Sequence, residues 1–141
     1  MHLPDTNVLL YSVNPNSPHR DRAARWLEAS FDGATGIAFA WIALTGFVRL
    51  STHRAILPKP LSIADALGMV DEWLSHPRAR IVHPTERHAD VMARLLLVVG
   101  TGGNLTNDAH LAALTIEHNC TMGSFDADFK KFPSIKLDFL T

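Results

Sequence analysis

The sequence predicts an α/β fold in which helices pack on a parallel β-sheet. Short apolar segments, suited to buried strands, alternate along the chain with longer segments whose apolar residues recur at helical spacing. This alternation is typical of βαβ units, which build parallel sheets. The 141 residues contain no internal repeat, low-complexity tract or long linker, so we expect a single domain over residues 1–141.

The first third of the chain predicts two strands and two helices. The apolar start of the chain is a strand candidate that ends at Asp5, and residues 6–13 form a short helix ended by the turn-rich residues 14–18. A second helix is expected from about His19 to Phe31. The small apolar residues from Thr35 to Phe39 then suit a buried strand.

The middle of the chain predicts two strongly apolar helices and a strand. The helices run from Trp41 to His53 and from Ser62 to Ser75, and Ser62 begins a Ser-x-x-Asp capping pattern. Their apolar residues exceed what one core face requires, so the surplus covers either a second core contact or a partner protein. A short strand is expected from Ala79 to His83.

The last part of the chain predicts two helices and two strands. A helix opened by Thr85 is expected to turn a set of apolar residues inward, and another helix runs from Asn107 to His118. Strands are expected from Thr121 to Ser124 and from Ile135 to Leu140, with a tight turn or short helix over residues 126–132 between them. The sheet therefore has four to five short strands. The inward residues of the first helix are Ala89, Val91, Met92, Leu95, Leu96 and Val99.

Composition and charge exclude several classes of protein. Hydrophobic residues make up 47% and charged residues 19%, which is typical of a globular chain. The formal net charge of −1 lacks the basic excess of a nucleic-acid-binding surface, so a nucleic acid would need local basic residues or a bound metal ion. The single cysteine, Cys120, excludes an internal disulfide and a multi-cysteine zinc site. No segment has the pattern of a signal peptide or membrane span, and we expect a soluble cytoplasmic protein.

Four aspartates follow predicted strand ends or open a helix. Asp5 ends the first strand, Asp108 lies in the first turn of a helix, and Asp126 and Asp128 follow the strand that ends at Ser124. The carboxyl ends of parallel strands share one edge of the sheet, where ligands bind. Converging carboxylates repel one another unless a hard divalent cation such as Mg²⁺ or Mn²⁺ binds them, and such a cation assists phosphodiester hydrolysis. Taken singly, the same aspartates suit helix capping and turns.

These acidic segments resemble the motifs of the PIN domain family. The resemblance rests on residues 4–10 (PDTNVLL), 106–112 (TNDAHLA) and 124–129 (SFDADF), and it extends over essentially the whole chain. Within the family, the sequence more closely resembles the VapC toxins of type II toxin–antitoxin modules. A haloacid-dehalogenase-like phosphatase is excluded, because it would need an aspartate where this chain has Asn7.

The resemblance implies a three-layer α/β/α fold and a magnesium-dependent endoribonuclease that cleaves structured cellular RNA, such as transfer or ribosomal RNA. It also implies a homodimer and inhibition by a cognate VapB-type antitoxin. By position, Asp5 and Asp108 are the principal metal ligands, and Asp126 is a further acid that binds the metal directly or through water. Asp128 is either another ligand or the cap of the turn that seats Phe129.

One position departs from the family pattern. Where the resemblance leads us to expect a glutamate on the third helix, this chain has Gly46. Either Asp126 and Asp128 compensate, or metal binding is weaker, or activity is lost. The last outcome defines the alternative function, a catalytically degenerate PIN domain that binds RNA or protein.

Several further residues are candidates for supporting roles. Thr6 and Asn7 would orient a metal-bound water or cap the first helix, and Ser124 would hold phosphate or water or form a turn hydrogen bond. His110 lies about 200° around its helix from Asp108 and is not expected to be a ligand. The basic residues that would meet RNA phosphates at the rim, or form a solvated face, are Arg49, Arg54, Lys130 and Lys131.

Overall fold

A computed structural model describes residues 1–141, and its centre is one parallel β-sheet. The strands are β1 (His2–Pro4), β2 (Ile37–Phe39), β3 (Ala79–Ile81), β4 (Thr121–Ser124) and β5 (Lys136–Phe139). They form a five-stranded sheet in the order β3-β2-β1-β4-β5, and every neighbouring pair is parallel. The predicted α/β class with a parallel sheet is therefore confirmed.

Helices cover both faces of this sheet. They are α1 (Thr6–Val13), α2 (Arg20–Asp32), α3 (Trp41–Ser51), α4 (Ile63–Leu74), α5 (His88–Val99) and α6 (Leu105–Glu117), with a short 3-10 helix (Ala127–Lys131) between β4 and β5. None of these helices combines the length and apolarity needed to cross a bilayer.

Two hydrophobic cores lie on opposite faces of the sheet. The first joins α1, α2, α3 and α4, and the second joins α5, α6 and the 3-10 helix. Strand β2 shows how the faces alternate, because Ile37 and Phe39 belong to the first core whereas Ala38 belongs to the second. The layers are thus helix, sheet and helix, as the resemblance implied.

The central position of β1 determines where the ends of the chain meet. β1 pairs with β4 in a register that places Pro4 opposite Gly123, and the Asp5 N–H donates to the Gly123 carbonyl at 2.9 Å. The residues that follow both strands therefore emerge side by side. Helix α6 leads into β4 and must run against the strand direction, so its amino terminus reaches the same edge of the sheet.

Close packing between α2 and β4 explains a glycine in the middle of the sheet. A Cβ at Gly123 would lie 2.4 Å from the Trp26 ring, so only a hydrogen side chain fits beneath the indole. The indole Nε1–H donates to Asp138 on β5 at 3.0 Å. Trp26 thereby links helix α2 to two neighbouring strands.

Some predicted boundaries and one predicted burial are wrong. The prediction began a helix at Thr85, but α5 begins at His88; the Thr85 carbonyl accepts from His88 N–H in a single turn, while the Thr85 N–H and hydroxyl donate to Glu117 of α6. Ala89 was expected to face inward and is exposed. The strand expected from Thr35 begins at Ile37, since Gly36 has a φ of 78° and breaks the extended conformation.

The remaining differences are small shifts of helix and strand ends. Helix α6 begins at Leu105 rather than at Asn107, because Leu105 N–H donates to Gly102 and Thr106 N–H donates to Gly103. Asp108 stays in the first turn of that helix. The Ser62 hydroxyl caps α4 by accepting from Asp65 N–H at 3.0 Å, as the capping pattern predicted.

Candidate active site

Asp5 lies where β1 ends and α1 begins. One carboxylate oxygen accepts from Thr6 N–H at 2.7 Å, and the other accepts from the Ser124 hydroxyl at 2.7 Å. Asp5 thus caps α1 while remaining in the wall of the cleft. Burial raises the pKa of the Asp5 carboxyl; the hydrogen bonds from Ser124 and Thr6 offset only part of that rise, and Asp126 adds to it.

Three further aspartates converge beside it. Asp108 comes from the first turn of α6, while Asp126 and Asp128 come from the connection after β4. Carboxylate oxygens of these three residues all lie within 4.8 Å of one another. Asp5 lines the same cleft as Asp108 and Asp126 but does not belong to this closest trio.

The trio is electrostatically strained when no cation is present. Burial, together with the carboxylates of Asp126, Asp5 and Asp128, raises the pKa of Asp108 to about 6, whereas Lys131 opposes the rise. Lys131 pairs directly with Asp128 at 3.0 Å. An all-oxygen donor set whose negative charge Lys131 compensates only in part suits a hard divalent cation, so the residues present fit the metal that the sequence predicted.

A cleft of about 340 Å³ opens above these acids. Helices α1, α3 and α6 form its walls, and Arg49 of α3 is the one basic side chain that lines it. Asn107, which the sequence did not single out, also lines it, and its only signal was adjacency to Asp108. The lining residues are Asp5, Thr6, Asn7, Leu10, Tyr11, Ile42, Ala43, Gly46, Arg49, Leu50, Asn107, Asp108, Leu111 and Asp126.

Ser124 connects the acids from the two ends of the chain. Its hydroxyl donates to Asp5 and accepts from Asp126 N–H at 3.0 Å, and the Asn7 amide approaches it at 3.3 Å. Asn7 also accepts from Phe125 N–H at 3.2 Å. The Ser124 side chain is fully buried, so it orients these residues from below the cleft and forms the turn hydrogen bond that the sequence allowed.

Thr6 and Gly46 bring α1 and α3 into close contact. The Thr6 hydroxyl donates to the Ala43 carbonyl at 3.1 Å rather than capping its own helix. A Cβ at Gly46 would lie only 2.7 Å from that hydroxyl oxygen. A glutamate at position 46 would therefore require the Thr6 side chain to move.

His110 belongs to a separate polar network on the other side of α6. Its Nδ1 lies 2.9 Å from His88 Nε2, and His88 Nδ1 in turn contacts the buried Glu117 carboxylate. His110 does not line the cleft. Its position agrees with the prediction that it faces away from Asp108.

A comparison with known families identifies the chain. The model of the PIN domain matches residues 3–135. The chain belongs to the PIN domain family.

Two relatives that resemble this PIN domain over nearly its whole length are named as ribonucleases. Ribonuclease VapC37 of Mycobacterium tuberculosis is 48% identical over 138 residues, covering 98% of this chain and 96% of the relative. Ribonuclease VapC33 of the same organism is 40% identical and covers 96% and 95%, respectively. These identities place the PIN domain among the VapC ribonucleases.

Solved structures share the fold of this PIN domain. The structure of VapBC2 from Rickettsia felis bound to a DNA fragment from its promoter matches with a TM-score of 0.69 at 23% identity. The match covers 99% of this chain and 98% of that chain. At this identity the likeness concerns the fold alone.

Proposed function

We propose that this chain is the toxin of a type II toxin–antitoxin module and acts in the cytoplasm as a magnesium-dependent endoribonuclease. The observation that carries the proposal is the acidic cleft: Asp5, Asp108 and Asp126 line it, in a chain of the VapC ribonuclease family. Its substrate would be structured cellular RNA, such as transfer or ribosomal RNA, and Mn²⁺ would substitute for Mg²⁺ because both prefer oxygen ligands.

Each acid has a role that follows from its environment. Asp108 and Asp126 would hold the metal, and Asp128 would add an oxygen from the same cluster while Lys131 limits its charge. Asp5 would complete the site from the β1 side, in an orientation that Ser124 fixes. When bound, magnesium supplies a Lewis acid for a phosphoryl oxygen and lowers the pKa of a coordinated water.

The partners follow from exposed apolar surface. A groove of about 300 Å³ between α3 and α4 is lined by Trp41, Leu44, Val48, Leu67 and other residues. An amphipathic segment of a VapB-type antitoxin would bind such a groove with its apolar face. A homodimer would bury exposed apolar residues elsewhere, of which Leu97 and Val98 at the end of α5 are 80% and 64% exposed.

Incubation of purified protein with total RNA tests the nuclease. Discrete fragments are expected with Mg²⁺ or Mn²⁺, and intact RNA is expected with EDTA. Asp5→Asn and Asp108→Asn should each abolish cleavage, while Asp71→Asn on the exposed surface of α4 should retain it. Equal cleavage with Mg²⁺ and with EDTA would exclude a metal-dependent nuclease. Sequencing of RNA ends after expression in cells would then identify the substrate.

A PIN domain without nuclease activity is the second candidate function. Gly46 supports it, because α3 supplies no carboxylate to the site at that position. This candidate predicts that RNA is retained without being cut and that Asp5→Asn leaves the retention unchanged. Any metal-dependent cleavage that Asp108→Asn removes would exclude it.

A further inference from the structure

Arg49 is the feature of the cleft that the acidic cluster does not explain. It lies on α3, about one turn beyond Gly46, and it is exposed. No carboxylate lies within ion-pair distance of its guanidinium, since the chain's ion pairs involve only His2, His88 and Lys131 as cations. A cation that lines an acidic cleft without a protein partner is free to bind an anion.

The other basic residues of this region already have partners or lie elsewhere. Lys131 pairs with Asp128 at 3.0 Å, and Lys130 lies 3.9 Å above the centre of the Phe139 ring. Arg54 does not line the cleft. Of the four basic residues that the sequence suggested for RNA contact, Arg49 alone faces the acidic cleft without a charged or aromatic partner.

Gly46 of α3 packs against Thr6 and lies about one turn before Arg49. Glycine has no side chain, so α3 contributes no acid at position 46, where an added Cβ would lie 2.7 Å from the Thr6 hydroxyl oxygen. Instead it contributes the positive charge of Arg49 to the same cleft. The wall formed by α3 is therefore basic, while β1, α6 and the β4 connection supply the acids.

We propose that Arg49 binds the two non-bridging oxygens of an RNA backbone phosphate in the cleft and so positions the strand beside the acidic cluster. The proposal rests on the proposed ribonuclease function and names a substrate-binding residue for it. Carboxylates repel a phosphodiester, so the cleft needs a cation on another wall to hold the backbone close. A guanidinium suits this role because its planar donors match two phosphate oxygens at once. The net charge of −1 gives no general attraction that would replace it.

RNA binding in EDTA tests this role separately from cleavage. The probe is a fluorescein-labelled single-stranded RNA oligonucleotide, and its anisotropy is followed over a series of salt concentrations. Arg49→Gln should weaken binding about tenfold, in keeping with the loss of one charged hydrogen-bonding contact. The plot of log affinity against log salt has a negative slope, and Arg49→Gln should make that slope shallower by about 0.7, the value for one phosphate contact on a single strand. Arg49→Lys should restore the slope but only part of the affinity, because lysine keeps the charge and loses the planar fork.

Arg54→Gln is the matched control, because it removes the same charge from a residue outside the cleft. It should change the affinity less than twofold. An Arg49→Gln protein with wild-type affinity and slope would overturn the proposal, and so would an equal effect of Arg54→Gln. If Arg49→Gln instead weakens only antitoxin binding, Arg49 serves the adjoining apolar groove, which it also lines, and the RNA role is wrong.

Two measurements separate a binding role from a structural one. The unfolding temperatures of the variants should match that of the wild type. If Arg49→Gln is unstable, the comparison of Arg49→Lys with the wild type still measures what the guanidinium contributes to RNA binding. With Mg²⁺, Arg49→Gln should raise KM by about the factor lost in binding. If the wild type cuts RNA but Arg49→Gln binds normally, only this inference fails. If the wild type cuts no RNA with any divalent metal, the proposed function itself fails.

Discussion

Ser124 shows how one buried hydroxyl can organise a charged site. It donates to Asp5 and accepts from Asp126 N–H, so two acids that are separated along most of the chain share one uncharged partner. The hydrogen bond from Ser124 lowers the pKa of Asp5 against the larger effect of burial, which raises it. Ser124 therefore helps to keep Asp5 ionised and oriented for a cation.

Ser124→Ala should lower both the metal affinity and the stability of the protein. Loss of the donor raises the pKa of Asp5 and frees its carboxylate to rotate, so we expect Mg²⁺ affinity to fall about tenfold, with about 1 to 2 kcal/mol lost from the free energy of unfolding. Calorimetric Mg²⁺ titration and urea unfolding measure the two effects. Ser134→Ala, at an exposed serine, is the control. Unchanged Mg²⁺ affinity in Ser124→Ala would show that Ser124 does not prepare Asp5 for metal binding.

Asp108 makes the metal-free protein less stable as the pH rises. Burial and the neighbouring carboxylates raise its pKa from 3.8 to about 6, so folded Asp108 keeps its proton over a range in which the unfolded chain has lost it. The unfolded state then binds fewer protons, and stability falls between about pH 4 and pH 6. The full shift would correspond to about 3 kcal/mol, which solvent screening at a half-exposed group reduces to about 1 to 2 kcal/mol.

Asp108→Asn should therefore stabilise the protein in EDTA at about pH 7.5 by about 1 to 2 kcal/mol. It should also flatten the fall in stability between about pH 4 and pH 6, whereas Asp71→Asn should do neither. Added Mg²⁺ should raise the unfolding temperature of the wild type more than that of Asp108→Asn. Urea unfolding over the pH range measures these free energies of unfolding. If Asp108→Asn is less stable than the wild type above pH 6, burial and repulsion of the ionised Asp108 do not destabilise the metal-free protein.

The sequence predicted the positions of the acids better than their surroundings. Asp5 and Asp126 could be located because an acid that follows a parallel strand must lie at one edge of the sheet. The contact of Thr6 with Ala43 and the isolation of Arg49 depend on distances between separate helices, which no local pattern encodes. Interactions across elements were therefore the part that sequence reasoning could not supply.

At the scale of elements, the α5–α6 pair shows why helix boundaries are hard to predict. Glu117 at the end of α6 is buried and accepts hydrogen bonds from the N–H and hydroxyl of Thr85, and it also contacts His88. Burial alone would raise the pKa of Glu117, but the bonds from Thr85 and His88 outweigh it and lower that pKa. A carboxylate distant in sequence thus anchors the turn that precedes α5. Apolar spacing correctly indicated that the helix exists and could not reveal this contact.

Strand β4 depends on having no side chain at Gly123. A methyl group there would lie 2.4 Å from the Trp26 ring, so Gly123→Ala must displace α2 or the sheet. We expect a loss of about 2 to 3 kcal/mol in the free energy of unfolding, as for other overpacked sites. The fluorescence of the displaced Trp26 should also change. Urea unfolding followed by tryptophan fluorescence measures both effects.

Gly68→Ala provides the opposite control. Gly68 lies on an exposed position of α4 with no atom within 4 Å of an added Cβ, so alanine should stabilise the protein by about 1 kcal/mol through helix propensity. A Gly123→Ala protein as stable as the wild type would show that the Trp26 ring can move away from position 123 without a cost in stability.

At the scale of the whole molecule, the acidic cleft and the apolar groove share helix α3. Arg49 lines both, with the groove formed together with α4 and the cleft formed with α1 and α6. A protein segment bound in the groove would therefore lie next to the place where RNA enters the cleft. A partner in the groove would then block the site without contacting the acids themselves.

The apolar groove therefore predicts how inhibition by an antitoxin can be separated from catalysis. Leu67 lines the groove and is 52% exposed, so Leu67→Glu places a charge against the apolar face of the bound segment without disturbing the core. We expect it to weaken binding of a cognate VapB-type antitoxin by at least about tenfold, because an unpaired charge is costly in an apolar contact. RNA cleavage by the free variant should equal that of the wild type.

Leu97→Glu makes the same change on α5, outside the groove, and should leave antitoxin affinity intact. Calorimetric titration of antitoxin into each variant decides the point, and equal affinities for wild type and Leu67→Glu would place the antitoxin on another surface.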